Sequence, residues 1–243
     1  MTLRSSRLSL AITLLLASCG ANSGQGDPST PAPRYSNDAG IQDSLRTCAP
    51  VTVTMLTRNE AGVAASLVAP LEAEFAQVYP KIACFLRDGP APYPDVVTTV
   101  RTFTPQDPGV ANACCGRVDI SAAYLTQSNG DPGLLTHELT HLVQNYPAGV
   151  TEWWWTEGIA DAIRYLYTPA NAGWAISAPD RATSYRDGYR VTAGFLLWLE
   201  RTRRPGLIRA LDGVLRRGGN PGPFWVTTFG VSVDDLWAAY LAQ

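Results

Sequence analysis

The two histidines of this 243-residue chain, His137 and His141, stand four positions apart in HELTHLVQNYPAGVTEWWWTEGIADAIRY, and Glu138 directly follows the first. Side chains four apart meet on one face only when the backbone is helical, one turn separating them. Any task the two imidazoles share therefore requires a helix at this point. Asp131 and Pro132 supply an N-cap and a first-turn residue for it, and Pro147 supplies the stop, so the spacing predicts a helix from Asp131 to about Tyr146. Without such a task, the same pattern is two rare residues that happen to fall close together.

The task that suits the pattern is metal binding. Two neutral ring nitrogens converge on one ion, and the carboxylate between them takes a proton from that ion's water and returns it to a leaving amine. Zinc lowers the pKa of its water from about 15.7 towards 7, so hydroxide becomes available at neutral pH. Catalytic zinc takes three protein ligands and keeps a fourth position open. In the extended pattern H-E-x-x-H-x-x-G-x-x-H the third histidine would fall at Pro147 and the glycine at Gln144, which excludes that form. Glu157, on the next helical stretch, is the remaining candidate ligand, and Asp161 one turn further can accept the second ring N–H of a histidine and fix its tautomer. The competing readings are local ones, with Glu157 capping its helix and Asp161 pairing with Arg164.

The start of the chain, MTLRSSRLSLAITLLLASCG, carries Arg4 and Arg7, an apolar run over 8–17 and small residues at its end, the layout of a secretory signal. The run is shorter than the roughly 20 residues that a membrane-spanning helix needs. LASC, ending at Cys19, resembles a bacterial lipobox, the alternative being an ordinary signal peptide with a stray cysteine; the lipobox reading expects residues 1–18 to be a lipoprotein signal peptide and Cys19 to be lipidated, stably anchored by more than one acyl chain. Gly20 after it tilts the expected location outward, to the outer membrane, periplasm or cell surface of a bacterial envelope. Residues 19–45 are rich in Gly, Ser, Pro, Asn and Asp, and read as a flexible tether. Cys48, Cys84, Cys114 and Cys115 remain, an even number in an exported chain, and two disulfides are expected. Bonding the adjacent Cys114 and Cys115 to each other would strain the peptide between them, which favours pairing each with Cys48 or Cys84.

Beyond the tether, the sequence predicts one α+β domain over residues 46–243, strands first and helices after. VTVTML, KIACFLRD, DVVTTVRTF and RVDISAAYL have strand composition, and AGVAASLVAPLEAEFAQVYP has helical spacing ended by a proline, giving a β-α-β opening. Further helices are expected at about 153–167, 185–203 and 205–217, with Ser232 and Asp235 as a capping box for the last one. With a net charge of −2, nothing in the composition advertises a nucleic-acid surface.

HELTH, followed by EGIAD and by DGYRVTAGFLLWLE, resembles the basic secretory protein family of plants and bacteria, zinc metallopeptidases of the H-E-x-x-H plus downstream Glu type. The ending VSVDDLWAAYLAQ is similar to the ending of that family, and the likeness runs from about residue 50, strongest over 117–199. It implies a zincin-like fold, with a twisted sheet whose edge strand lies along the cleft, an active-site helix beneath and a mostly helical second half. It also implies zinc as cofactor, His137, His141 and Glu157 as ligands, and Glu138 as general base. The lipobox, the tether and the Cys114–Cys115 pair depart from the plant members.

An oxyanion donor is also needed, and Tyr189 is the candidate because the resemblance sets its helix against the active-site helix; Tyr185 is the alternate. Trp153, Trp154 and Trp155 point in three directions on a helix, so at most two face a cleft. ERTRRPG and LRRGG read as solvated basic helix ends, and RVDISAAYL as a strand to which an extended peptide can add. The expected partners are a peptide or protein substrate and, through the lipid alone, a membrane; no nucleic acid, and a monomer. A zinc-holding binding protein of the envelope, or a zinc hydrolase of a non-protein amide, would share every ligand.

Overall fold

The computed structural model describes residues 52–87, 89–150, 152–168 and 174–243. The signal peptide, the tether, Cys19 and Cys48 lie outside the described residues. The chain is α+β, and its described part runs β1 (Thr54–Asn59), α1 (Ala65–Arg87), β2 (Asp95–Arg101), β3 (Ala111–Cys114), β4 (Arg117–Ser121), α2 (Ala122–Gln127), α3 (Pro132–Gln144), α4 (Trp153–Tyr167), a 3₁₀ turn (Tyr185–Asp187), α5 (Tyr189–Thr202), α6 (Leu207–Arg216), α7 (Pro221–Phe229) and α8 (Val233–Leu241). No described helix is long and apolar enough to cross a membrane.

The sheet has the order β1-β2-β4-β3. β1, β2 and β4 are parallel, and β3 turns back against β4 as an antiparallel edge. The β-α-β opening holds, but KIACFLRD is not its second strand. Residues 81–87 of it are the last turns of α1, which runs through Pro70 and Pro80. The buried residues Leu71, Phe75, Val78, Ile82 and Phe85 keep the helical spacing of three and four across Pro80. That continuous apolar face outweighs the single backbone bond a proline removes.

RVDISAAYL also divides. Its strand stops at Ser121, whose hydroxyl caps α2 by accepting from the Tyr124 N–H. β3 and α7 were not expected. β3 joins β4 through Cys115 and Gly116, both with positive φ, 58° and 76°, the mirror-image turn that matches the twist of a hairpin. In this turn the sulfurs of Cys114 and Cys115 are bonded to each other, which replaces the expected pairing of each with Cys48 or Cys84. The left-handed backbone at Cys115 reorients the peptide on which the strain argument was based. Cys84, on α1, is disulfide-bonded as well.

The core lies between the sheet, α1 and the later helices. α3 is buried on almost every side, packed between α1, α4 and the sheet. Trp155 of α4 stacks on Tyr185, with ring centroids 5.2 Å apart, and meets Trp225 of α7 at 4.9 Å. Of the basic helix ends, ERTRRPG has Arg203 and Arg204 exposed as expected, whereas in LRRGG Arg216 pairs with the fully buried Asp212 and donates to the Leu86 carbonyl at 3.0 Å.

α4 and α5 approach closely because Gly158 has no side chain. A Cβ there would lie 2.4 Å from Thr192 Cγ2 and 2.6 Å from its Cβ. Gly213 in α6 is different, since its Cβ would meet only the flexible end of Arg217 at 3.4 Å. Gly158→Ala is therefore expected to lower the unfolding free energy by about 1–3 kcal/mol through overpacking, whereas Gly213→Ala raises it by about 0.5–1 kcal/mol through helix propensity. Urea titration of both variants beside the wild type checks the contrast.

Candidate metal centre

α3 and α4 face each other along a seam of polar pairs. The seam begins at the cap of α3, where Asp131 accepts from the Leu134 N–H at 3.3 Å, and Arg164 near the end of α4 pairs with the same carboxylate at 2.6 Å. One turn on, His137 Nδ1 meets Asp161 Oδ1 at 2.7 Å. Next, Glu157 Oε2 lies 3.1 Å from His137 Nε2 and 3.5 Å from His141 Nε2. At the far end, Gln144 Nε2 donates to the Thr156 carbonyl at 2.9 Å. Residue numbers rise on α3 as they fall on α4, so the two helices are antiparallel, and each pair fixes the register of the next. Asp161 thus takes the histidine and Arg164 takes Asp131, which displaces the local Asp161–Arg164 pairing.

The seam also sets the tautomers. Gln144 donates through its amide nitrogen to Thr156, which leaves its carbonyl oxygen, 2.8 Å away, to accept from His141 Nδ1–H. Asp161 likewise accepts from His137 Nδ1–H. Both Nε2 atoms then carry lone pairs, and they point at each other across 3.1 Å. Beside them stands the Glu157 oxygen, so three electron-rich atoms converge.

Such a triangle needs positive charge at its centre. A tetrahedral zinc about 2.0–2.2 Å from each ligand spaces those ligands about 3.3–3.6 Å apart, close to the 3.1, 3.1 and 3.5 Å here. His137, His141 and Glu157 are also the group whose ligand atoms could hold one ion among the described residues. The surrounding charge points the same way. Burial works against a charged His137, but Asp161 and Glu157 overcome it and raise its pKa well above the ordinary value. His141 is raised for the same reason, burial being outweighed by Glu157. Glu157 is shifted down, burial again being outweighed by the two rings.

Glu138 is 5% exposed, and burial raises its carboxyl above the usual range although both histidines pull it down. The neighbouring Glu157 side chain is 21% and His141 17% exposed, so the cluster opens to solvent on that side. Tyr189 borders it, its ring nearly parallel to that of His137 with centroids 6.3 Å apart. Tyr185, the alternate donor, is 2% exposed and donates its hydroxyl to Asp234 at 2.8 Å, so its place is structural. Of the three tryptophans, Trp155 is in the core and Trp153 stands beside Tyr189 at 5.9 Å.

One functional residue was missed from sequence. Gln144 lies three positions after His141, on the same helical face, and that spacing is the signal that would have found it. The strand expected to hold a peptide also changes: β4 is paired on both sides, by β2 and β3, and the sheet edge beside α3 is β3.

No curated protein and no solved structure matches the chain. A family model described as a peptidase of plants and bacteria matches residues 78–240, well over half of its length. Because that span takes in both facing helices and the sheet edge beside them, the chain belongs to the plant and bacterial peptidase family, the basic secretory protein family that the sequence resembles.

Proposed function

We propose that the protein is a zinc-dependent peptidase of zincin-like fold, exported and held to a bacterial envelope by lipid on Cys19. The observation that carries the reading is the convergence of two histidine lone pairs and a carboxylate oxygen within 3.5 Å of one another, with a buried glutamate beside them. The residues fit zinc in donor type and in number, leaving a fourth position for water or substrate. Zinc bound there would supply a water of pKa near 7 and polarise a carbonyl.

The rest of the chemistry belongs to the chain. Glu138 takes the proton of the attacking water and hands it to the leaving amine, and its raised pKa suits a group that must hold a proton between these two steps. Asp161 and Gln144 keep both imidazoles in the tautomer that presents Nε2. Tyr189, from the first turn of α5, is the oxyanion donor in this reading.

Peptide as substrate is favoured by β3. The Ser121 N–H donates to the Val110 carbonyl at 2.9 Å, so 110 and 121 form a hydrogen-bonded pair of the hairpin. Such pairs alternate in an antiparallel ladder. Asn112 and Cys114 therefore bond inward to β4, and the N–H and C=O groups of Ala111 and Ala113 point away from it. An extended peptide can add there as a further strand, in line with the adjacent α3.

Three outcomes test the reading on the full chain. Mass spectrometry is expected to find one zinc per chain, lost or held at least about 100-fold more weakly in Glu157→Ala, with casein cleavage that a chelator stops and zinc restores. Stoichiometric zinc with no cleavage of any peptide would sink the peptidase and leave a zinc-holding binding protein or a hydrolase of other amides. Glu138→Gln is expected to keep its zinc while turnover drops by about 10²–10⁴-fold; retained hydrolysis would remove the glutamate from its role. Ala113→Pro deletes only an outward N–H and should lower kcat/KM at least about tenfold with little change in stability, whereas Asn112→Pro breaks an inward bond and lowers stability itself. Equal activity losses at equal stability in the two would refute the register.

A further inference from the structure

We propose that Trp153 and Tyr189 form an aromatic wall that receives a large apolar side chain of the substrate next to the bond that is cut. The proposal rests on the peptidase reading and adds a substrate class to it.

Both rings are exposed, Trp153 by 46% and Tyr189 by 43%, and their centroids are 5.9 Å apart. Tyr189 lies flat beside the ligand His137, so the wall begins at the metal centre. More than half of each side chain is already covered, and the apolar surface that remains in solvent gains by being covered too.

The wall is also rigid, which distinguishes it from loose surface aromatics. A Cβ on Gly188 would fall 2.3 Å from Trp153 Cζ3 and 2.8 Å from Cη2, so the indole rests edge-on against the backbone of that glycine. Gly188 has φ of 74°, and Tyr189 follows at 47°, an uncommon conformation for a bulky residue. The backbone bends through two left-handed residues to bring the tyrosine ring into place, a form of strain that clusters at ligand sites. Behind Trp153, Trp154 packs edge-on at 6.3 Å, and Trp155 follows at 6.4 Å, itself locked between Tyr185 and Trp225 in the core. A fixed apolar surface meeting a few polar groups is the usual build of a binding pocket.

The charges nearby do not select a cation. Glu152, next to Trp153, is held above the usual carboxylate range by burial, against which Arg186 pulls it only part of the way down. An aromatic or long aliphatic side chain is the occupant this leaves.

The test uses the zinc-loaded full chain in two assays. Cut sites in a mixed peptide library are read by mass spectrometry, and binding is measured for two hydroxamates that differ only in a benzyl or a methyl side chain. The wild type is expected to enrich Phe, Tyr, Leu or Met at one position beside the cut, and to bind the benzyl probe at least about tenfold more tightly than the methyl one. In Trp153→Ala that ratio should fall to about threefold or less at unchanged zinc content, and Trp153→Phe should restore most of it. Equal binding of the two probes by the wild type, a full preference surviving in Trp153→Ala, or enrichment of Arg and Lys overturns the wall. Cleavage without apolar preference does the same while leaving the peptidase intact. A benzyl preference without any cleavage keeps the wall and removes the peptidase. Failure of both probes to bind removes the wall together with the metal centre.

Discussion

The antiparallel seam between α3 and α4 is the constraint on which the rest of the site depends. Asp131–Arg164, His137–Asp161, the histidines with Glu157, and Gln144 with the Thr156 carbonyl follow one another along it. A shift of either helix by one residue would break all of these at once, and each break would leave a buried polar group unpaired at a cost of about 1–3 kcal/mol. The seam is thus specific rather than merely attractive. It also explains why so polar a surface can sit inside the molecule, since α3 buries Thr136, His137, Glu138, Thr140 and Gln144 together with its leucines.

The back of α3 is fixed by a second polar contact. Thr136, directly before His137, donates to Glu74 of α1 at 2.5 Å and lies 2.6 Å from the Thr168 hydroxyl at the end of α4. Three helices therefore meet at the residue next to His137. On the other flank, the missing side chain of Gly158 lets α5 come against α4, which carries Tyr189 to the centre. The residue after Glu157 is small for a packing reason, and that packing sets the distance between α4 and the helix that carries Tyr189.

How much of this could be read from the sequence follows from the range of each interaction. His137, Glu138 and His141 were legible because helical spacing sets their mutual faces, as it does for Glu157 and Asp161 on the next helix; that the two helices face each other was suggested only by the pattern of a glutamate downstream of H-E-x-x-H. The capping box of α8 was legible for the same reason, as its partners are three residues apart. α1 was cut short at Pro80 because local punctuation was weighed above an apolar stripe that continues past it. β3 escaped notice because Ala-Asn-Ala-Cys has no β-branched residue, and only its pairing with β4 makes it a strand. α7 opens with Pro-Gly-Pro and continues through Val-Thr-Thr, so its helical state depends on Trp225 being held in the core by Trp155. The sheet edge was placed one strand inward because sheet order is not encoded in any single segment.

A final step concerns charge. Glu138, Glu157 and Asp161 bring three carboxylates to one small, largely buried volume, and burying unpaired charge is costly. Two neutral imidazoles do nothing to offset it. Protonating them helps only in part, because their Nε2 atoms are 3.1 Å apart and two charged rings repel each other there. A dication at the centre balances two of the three charges and is ligated by every atom that faces it. The third charge is then relieved where burial favours a proton on Glu138. The arrangement that is least stable when empty is therefore the one best suited to hold a metal and pass a proton, and binding of the metal returns that stability to the fold.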